Sequence, residues 1–525
     1  MHKALKYILD MKRLPIILAL VLAGVFFATR SQGKTNSLPP GKYEKILQIV
    51  GAILTQGHYE PKDINDEFSK KIFDKYLADL DPEKNIFLQQ DLKTLERFQT
   101  KIDDEVKGAP VQFFIEAGKV FDSRIKEAEA YYKEILAKPF DFSKDETYNG
   151  DGEKKSFPAS EDARKEEWRK YLKYLTVQRY ADLLDSRESN KGKEGAITKS
   201  DAELEKEARE KVQTVMTRTF DRYHNKFTEE DKFNVFVNSI TEMMDPHTEF
   251  MPPLDKRYFD ESMSGKFYGI GAQLTYEEGN IKIASVLPGG PAQKSGQVDA
   301  GDIIVRVAQN EQETPVELSG FTVQDAVKLI RGKKDSQVKL TLRKKDGTLK
   351  TLLLKRDEIV QDEAYVRSAV VNEGSQKIGY IYLPEFYADF QEMNGVRSGM
   401  DVAKEVNKLK AEGIDGIVID LRNNGGGALY DVIQIAGLFI DQGPVVQVRD
   451  RQGKPQVMRD RDEGVLYDGP LVIMVNEMSA SASEILAAAM QDYGRGVVIG
   501  STSTYGKGTV QRTIGLDPES NFSNT

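Results

Sequence analysis

Three short, almost wholly apolar runs constrain this chain more than any other feature: GIVIDLR (Gly416 to Arg422), GPLVIMVN (Gly469 to Asn476) and GVVIG (Gly496 to Gly500). A strand with no polar side must be covered on both faces, so these runs call for a sheet with other elements packed over it. Small residues follow each run. NNGGG (Asn423 to Gly427) leads into a helix through Phe439, SASASEILAAAMQ opens another, and a glycine-flanked lysine loop leaves the third. Upstream, KIGYIYLPEF (Lys377 to Phe386) reads as a strand and MDVAKEVNKLKAEG as an amphipathic helix ending at Gly413. The C-terminal part is therefore α/β, built of stacked β-β-α units.

The rest of the 525 residues has two other textures, so about three domains fit the length. From Lys42 to Tyr258 the chain is helical and highly charged, with Tyr43, Ile46, Leu47, Val50, Ile53 and Leu54 at helical spacing. The stretches 142–162 and 188–201 read as flexible surface loops, and the charge runs as solvated helix faces. From Gly265 to Ile359 come short strands, a helix at Phe321 to Gly332 capped by Thr322, and a hairpin across Asp346-Gly347. Ahead of all this, Lys3, Lys6, Lys12 and Arg13 precede an apolar run from Leu14 to Ala28. The run is short for a membrane span and fits a secretory signal, so export is expected. FATRS is a poor cleavage site, which leaves an uncleaved anchor open.

Composition excludes several chemistries. The net charge of −9 argues against nucleic acid as a partner. With no cysteine there is neither a disulfide, nor a thiolate metal site, nor a cysteine nucleophile. The histidines number four (His2, His58, His224 and His247), all before residue 250, so no metal or cofactor is expected and none stands near the serine cluster in sequence.

A serine at a helix start has free backbone amides around it and the positive end of the helix dipole behind it, and such amides can hold an oxyanion. The proton acceptor must then be something other than histidine, unless a distant domain supplies one. Lysine can serve if burial brings its pKa down from about 10.4 towards neutrality. Lys507 sits between Gly506 and Gly508, and Gln511 follows within reach of its amine. The loop is not a phosphate-binding one, because Gly508 stands where Ser or Thr should follow the lysine.

Two resemblances sharpen this. YGIG before a strand and GGPAQKSG…AGD after the next resemble a PDZ domain, a β-rich α+β fold that binds an extended peptide by strand addition. The resemblance implies that the amides of Gly269, Ile270 and Gly271 face a terminal carboxylate. It also implies that the strand beginning at Ala272 and the helix Thr322 to Ile330 wall the groove. NGGGAL, SASASEILAAAMQDYGR and YGKGTVQ, with DPHTEFMPP and LDPEKNIFLQQDL upstream, resemble the carboxyl-terminal processing serine proteases of the long, tail-specific type with an inserted PDZ domain.

That resemblance implies Ser481 as nucleophile, Lys507 as base, Gln511 as its orienting partner, and the amides of Gly427 and Ala482 as oxyanion donors. It implies an α-helical N-terminal domain, a PDZ domain and an α/β crotonase-like core, a ββα spiral. The expected division is a signal or anchor at 1–33, a helical domain at 36–258, a PDZ domain at 262–358 and a protease core at 362–525. Expected partners are protein or peptide substrates with free C-termini, with an adaptor protein and membrane anchoring through the N-terminus left open. The expected location is the periplasm. The alternatives are a non-catalytic PDZ scaffold or an inactive fragment, since the chain stops at NFSNT where family members continue, and the core is expected to be truncated. The position of the PDZ segment also predicts that peptide binding there gates the protease.

Overall fold

The computed structural model describes residues 41–191, 198–277, 280–318, 321–392 and 394–516. The signal or anchor expected at 1–33 lies outside them. Among the described residues, no helix is long and apolar enough to cross a membrane, and no group of three or more acidic or histidine side chains is placed to hold a metal.

The first part is a bundle of α1 (Lys42–Gly57), α2 (Asp66–Leu80), α3 (Gln89–Leu95), α4 (Ile102–Val106), α5 (Phe113–Leu136), α6 (Glu161–Ser189), α7 (Asp201–Asn225), α8 (Glu229–Met244) and α9 (Pro253–Ser264). Helix starts follow local chemistry: Asn65, Ser160, Ser200 and Thr228 each cap a free amide of the turn they precede. The core is aromatic. The Phe113 ring lies 5.2 Å from Phe73, 5.4 Å from Tyr76 and 5.8 Å from Phe236. Burying each such side chain contributes about 1.5–3 kcal/mol. The stretch 142–162, expected to be a flexible surface loop, is tied to α6 instead. Glu146 pairs with Arg169 and Lys173, and the Tyr148 ring packs 5.6 Å from Tyr171.

The second part contains β1 (Lys266–Gly269), β2 (Ala272–Glu277), β3 (Asn280–Val286), α10 (Pro291–Ser295), β4 (Ile303–Ala308), β5 (Val316–Glu317), α11 (Val323–Ile330), β6 (Gln337–Arg343), β7 (Leu349–Lys355) and β8 (Asp357–Val360). The sheet runs β2-β3-β4-β6-β7, with β5 on β4, so β2 is an edge strand, and α11 packs beside it. β1 and β8 pair antiparallel as a stem where the segment enters and leaves.

The third part contains β9 (Arg367–Glu373), β10 (Gln376–Tyr382), α12 (Ser398–Ala411), β11 (Gly416–Asp420), α13 (Leu429–Gly437), β12 (Gly443–Arg449), β13 (Pro455–Asp460), β14 (Leu471–Val475), α14 (Ala482–Asp492) and β15 (Val497–Gly500). The sheet order is β15-β14-β11-β10-β9, parallel except for β9. Ile417, Ile419 and Ile473 are buried between flanking elements, as the apolar runs require. The hairpin β12–β13 and strand β9 were not foreseen. Because β10, β11, β14 and β15 are parallel, the loops leaving them all open at one edge of the sheet, where open α/β sheets place their sites.

A stem connects the second and third parts. Lys266 at the start of β1 pairs with Asp389 at 2.8 Å, both largely buried. Ala388 donates its amide to Met263 and Tyr365 its hydroxyl to Ser264, each at 2.8 Å.

Candidate active site

Ser481 begins α14 with φ 54° and ψ −113°. A non-glycine residue held there costs on the order of 1–3 kcal/mol, a strain that persists only where the surroundings fix it. The surroundings do. Ser479 and Ser483 on either side are fully buried. Their hydroxyls donate to the carbonyls of Leu421 at 2.8 Å and Asn424 at 2.9 Å. Ala480 also donates its amide to Asn424, and Asn476 exchanges hydrogen bonds with Asn423. The outer serines of the cluster therefore bind the loop after β14 to the loop after β11. The half-buried Ser481 is left as the serine whose hydroxyl has no partner among the described residues.

The glycines after β11 allow this approach. A Cβ on Gly426, where φ is +109°, would lie 2.8 Å from the Ser481 Cβ and 2.9 Å from the Ala480 carbonyl oxygen. A Cβ on Gly427, at φ +134°, would lie 2.3 Å from the Phe386 carbonyl oxygen. Phe386 bridges this loop in parallel, donating to Gly426 at 2.8 Å and accepting from Ala428 at 2.7 Å. That pairing turns the Gly427 amide the other way. Among the described residues neither it nor the Ala482 amide donates to a protein acceptor. Two free amides beside a free hydroxyl can hold a developing oxyanion.

Lys507 and Gln511 are placed differently from the expectation. Lys507 is half-exposed rather than in a dry pocket, and its ammonium makes no hydrogen bond to Ser481. Gln511 is exposed and donates to Thr509 at 3.2 Å, not to Lys507. What gathers the loop is a residue the sequence reading passed over. The Glu484 carboxylate accepts from the Ser481 amide at 2.8 Å, the Thr504 hydroxyl at 2.7 Å, the Gly506 amide at 2.6 Å and the Lys507 amide at 2.9 Å. Burial pushes this carboxyl up, but the bonds from Thr504, Gly506, Ser481 and Lys507 together hold it below the ordinary value. The signal was present as a glutamate three residues after a helix-capping serine, which reads as a routine capping pair.

In the second part, Gly271 has φ +71° and a Cβ there would lie 2.9 Å from the Gly290 Cα, so two glycines let the loops touch. Ile270 and Gly271 accept from Ala292 and Leu287, while their own amides have no protein acceptor among the described residues. Those amides lie just ahead of β2, which begins at Ala272 and packs beside α11.

Three family models match the chain in succession: the tail specific protease N-terminal domain over 49–254, the PDZ domain over 260–343, and peptidase family S41 over 377–525. The chain is 32% identical to a tail-specific protease of Haemophilus influenzae over 88% of its own length and 63% of that protein. It is 32% identical to the carboxy-terminal processing protease CtpA of Bacillus subtilis over 55% of its length and 58% of that protein. It thus spans less than two thirds of either relative. Among solved structures, a photosystem II D1 C-terminal processing protease matches with 25% identity over 65% of this chain and 83% of that one, at a TM-score of 0.30. The PDZ domain of a carboxy-terminal protease from Vibrio cholerae, solved with a peptide, matches with 38% identity over 18% of this chain and 99% of that one, at a TM-score of 0.18.

Proposed function

The chain belongs to the carboxyl-terminal processing proteases of peptidase family S41, and on that premise we propose that it is a serine endopeptidase that recognises the C-terminal tails of unfolded or tagged proteins and cleaves them. The observation that carries this reading is the Ser481 hydroxyl, left free in a strained turn beside the free amides of Gly427 and Ala482, with Lys507 held to the same carboxylate.

Ser481 Oγ attacks the scissile carbonyl carbon as its proton passes to Lys507 Nζ. The carbonyl oxygen becomes an oxyanion at the two amides. Lys507 then gives the proton to the leaving amine as the C–N bond breaks. Water, deprotonated by the same lysine, attacks the acyl carbon, the ester bond to Ser481 Oγ breaks, and Oγ takes the proton back from the lysine. The amine must swing from its half-exposed position to reach Ser481. Gly506, at φ +90° with no neighbour where a Cβ would be, and Gly508 give the loop that freedom. Gln511 is assigned to orient the amine once the loop has closed.

The amides of Gly269, Ile270 and Gly271 and the edge of β2 from Ala272 would hold the substrate's C-terminus. The basic, apolar N-terminal segment supports export to the periplasm, with anchoring in the inner membrane and an adaptor protein as further elements of the same reading.

The test pairs labelling with turnover. A serine-reactive probe should label Ser481, and Lys507→Arg should abolish cleavage of an unstructured peptide while leaving peptide binding intact, because guanidinium keeps its proton. Turnover by the arginine variant would overturn the Ser-Lys assignment. A protein that binds tails but is neither labelled nor active would be a PDZ scaffold.

A further inference from the structure

The helix α7 carries two classes of basic residue. In its first half each is ion-paired within the helix: Arg209 with Glu205 at 2.9 Å, Lys211 with Glu207 at 3.0 Å, and Lys206 with Glu210 at 3.8 Å. His224 near its end is paired with Glu129 at 2.8 Å. Arg218 and Arg222, four apart on one face of α7, and Lys226, which follows its last residue, have no carboxylate within ion-pair distance among the described residues.

Their location gives them a use. The Arg218 guanidinium donates to the Tyr276 hydroxyl and lies 5.6 Å from the centre of its ring, at the far end of β2. Lys226 lies over the Phe321 ring, immediately before α11. Burial lowers the Lys226 pKa; Asp325 and Asp221 oppose that shift and Arg222 adds to it. The three residues therefore run from the end of β2, at Tyr276, to Phe321, just ahead of α11. The helix dipole accounts for cations in a last turn. Arg218, two turns further back, is the one resting on β2.

A peptide whose carboxylate sits at Ile270 and Gly271 and which adds as a strand beside β2 must run towards Tyr276. At about 3.3 Å per residue it reaches Tyr276 about five residues from its end and then passes the row. Resting on the reading of β2–α11 as a peptide groove, we propose that Arg218, Arg222 and Lys226 form an upstream subsite of that groove. It selects tails that carry Asp or Glu about five to eight residues before the terminal carboxylate. The helical domain thus takes part in substrate choice, which the PDZ domain does not make alone.

The experiment measures binding of three peptides with one shared apolar C-terminal pentapeptide and acidic, neutral or basic residues just upstream. The acidic peptide should bind about tenfold tighter than the neutral one at low salt, as expected for a few exposed ion pairs, and the basic one more weakly still. The spread should shrink as salt screens the charges. It should also collapse in an Arg222→Glu, Lys226→Gln variant, whose unchanged melting temperature confirms folding. Equal affinities for the three peptides, or a spread that survives in the double variant, would overturn the proposal. Amidated forms of the same peptides separate the two readings. Charge selection without discrimination between acid and amide leaves the subsite standing and removes the carboxylate groove, whereas acid–amide discrimination without charge selection does the reverse.

Discussion

The loops after β11 and β14 and the loop after β15 open at the same sheet edge but are held in opposite ways. The first two are locked together by buried hydroxyls, side-chain amides and glycines packed at distances no other residue tolerates. The third is largely exposed and is held to α14 through one carboxylate, with further bonds to the preceding loop from the Tyr505 amide to the Ser479 carbonyl and from Ser501 to Val475 and Glu477. On the proposed assignment, nucleophile and oxyanion donors are thus preorganised, while the base arrives on a hinged loop. Where the charge of a transition state develops, rigidity is worth most, and where a proton acceptor must approach and withdraw, latitude costs little.

The comparison can be broken hardest at Gly426. Alanine there would need a positive φ and would overlap Ser481, Ala480 and Ala482 together. Gly426→Ala should lower kcat roughly 100- to 1,000-fold, the scale of losing an oxyanion donor, without loss of peptide binding. Near-normal turnover would mean that the two loops are not a rigid unit.

Glu484→Gln is the milder probe. It removes the charge that four donors share, so kcat should fall about tenfold. Hydrogen exchange should speed up at 504–507 and stay unchanged at 424–428. The pH dependence follows with a definite sign. A carboxyl held below its ordinary value stabilises the fold above about pH 4.3, and that contribution is lost as the pH falls through the lower folded value. Wild-type exchange at 504–507 should therefore rise below that range, while the glutamine variant shows no such step. Uniform acceleration in both loops would erase the distinction between them.

Ser483→Ala should do least. It deletes a buried hydroxyl bond, but Asn424 still accepts from the Ala480 amide, so the cost should be about 1 kcal/mol of stability with turnover nearly intact. A larger loss of activity than of stability would show that this hydroxyl does more than fasten two loops.

Much of this was legible in advance. The apolar runs 416–422 and 469–476 could only be covered strands, and the capped helix at Thr322 and the hairpin at Asp346-Gly347 carry their local chemistry openly. The ribbon β12–β13 escaped because both strands are exposed or half-buried apart from Asp460, so they carry no buried apolar run. The serine cluster pointed to a site, but sequence cannot show which hydroxyls are consumed by neighbouring carbonyls. Nor can it show that Glu484 reaches a loop 20 residues further on as well as its own helix.

The stem at Lys266 bears on the safety of bystander proteins. Asp389, which it grips, and Ala388, which Met263 of α9 holds beside it, continue the segment whose Phe386 holds Gly426 and Ala428 in place. A tilt of the neighbouring domain is therefore a few covalent bonds from the oxyanion donors. On the proposed function, a cutting site wired in this way would have idleness as its default. Chance encounters with passing chains would then fail, and only a tail that seats the neighbouring domain correctly would meet an aligned blade.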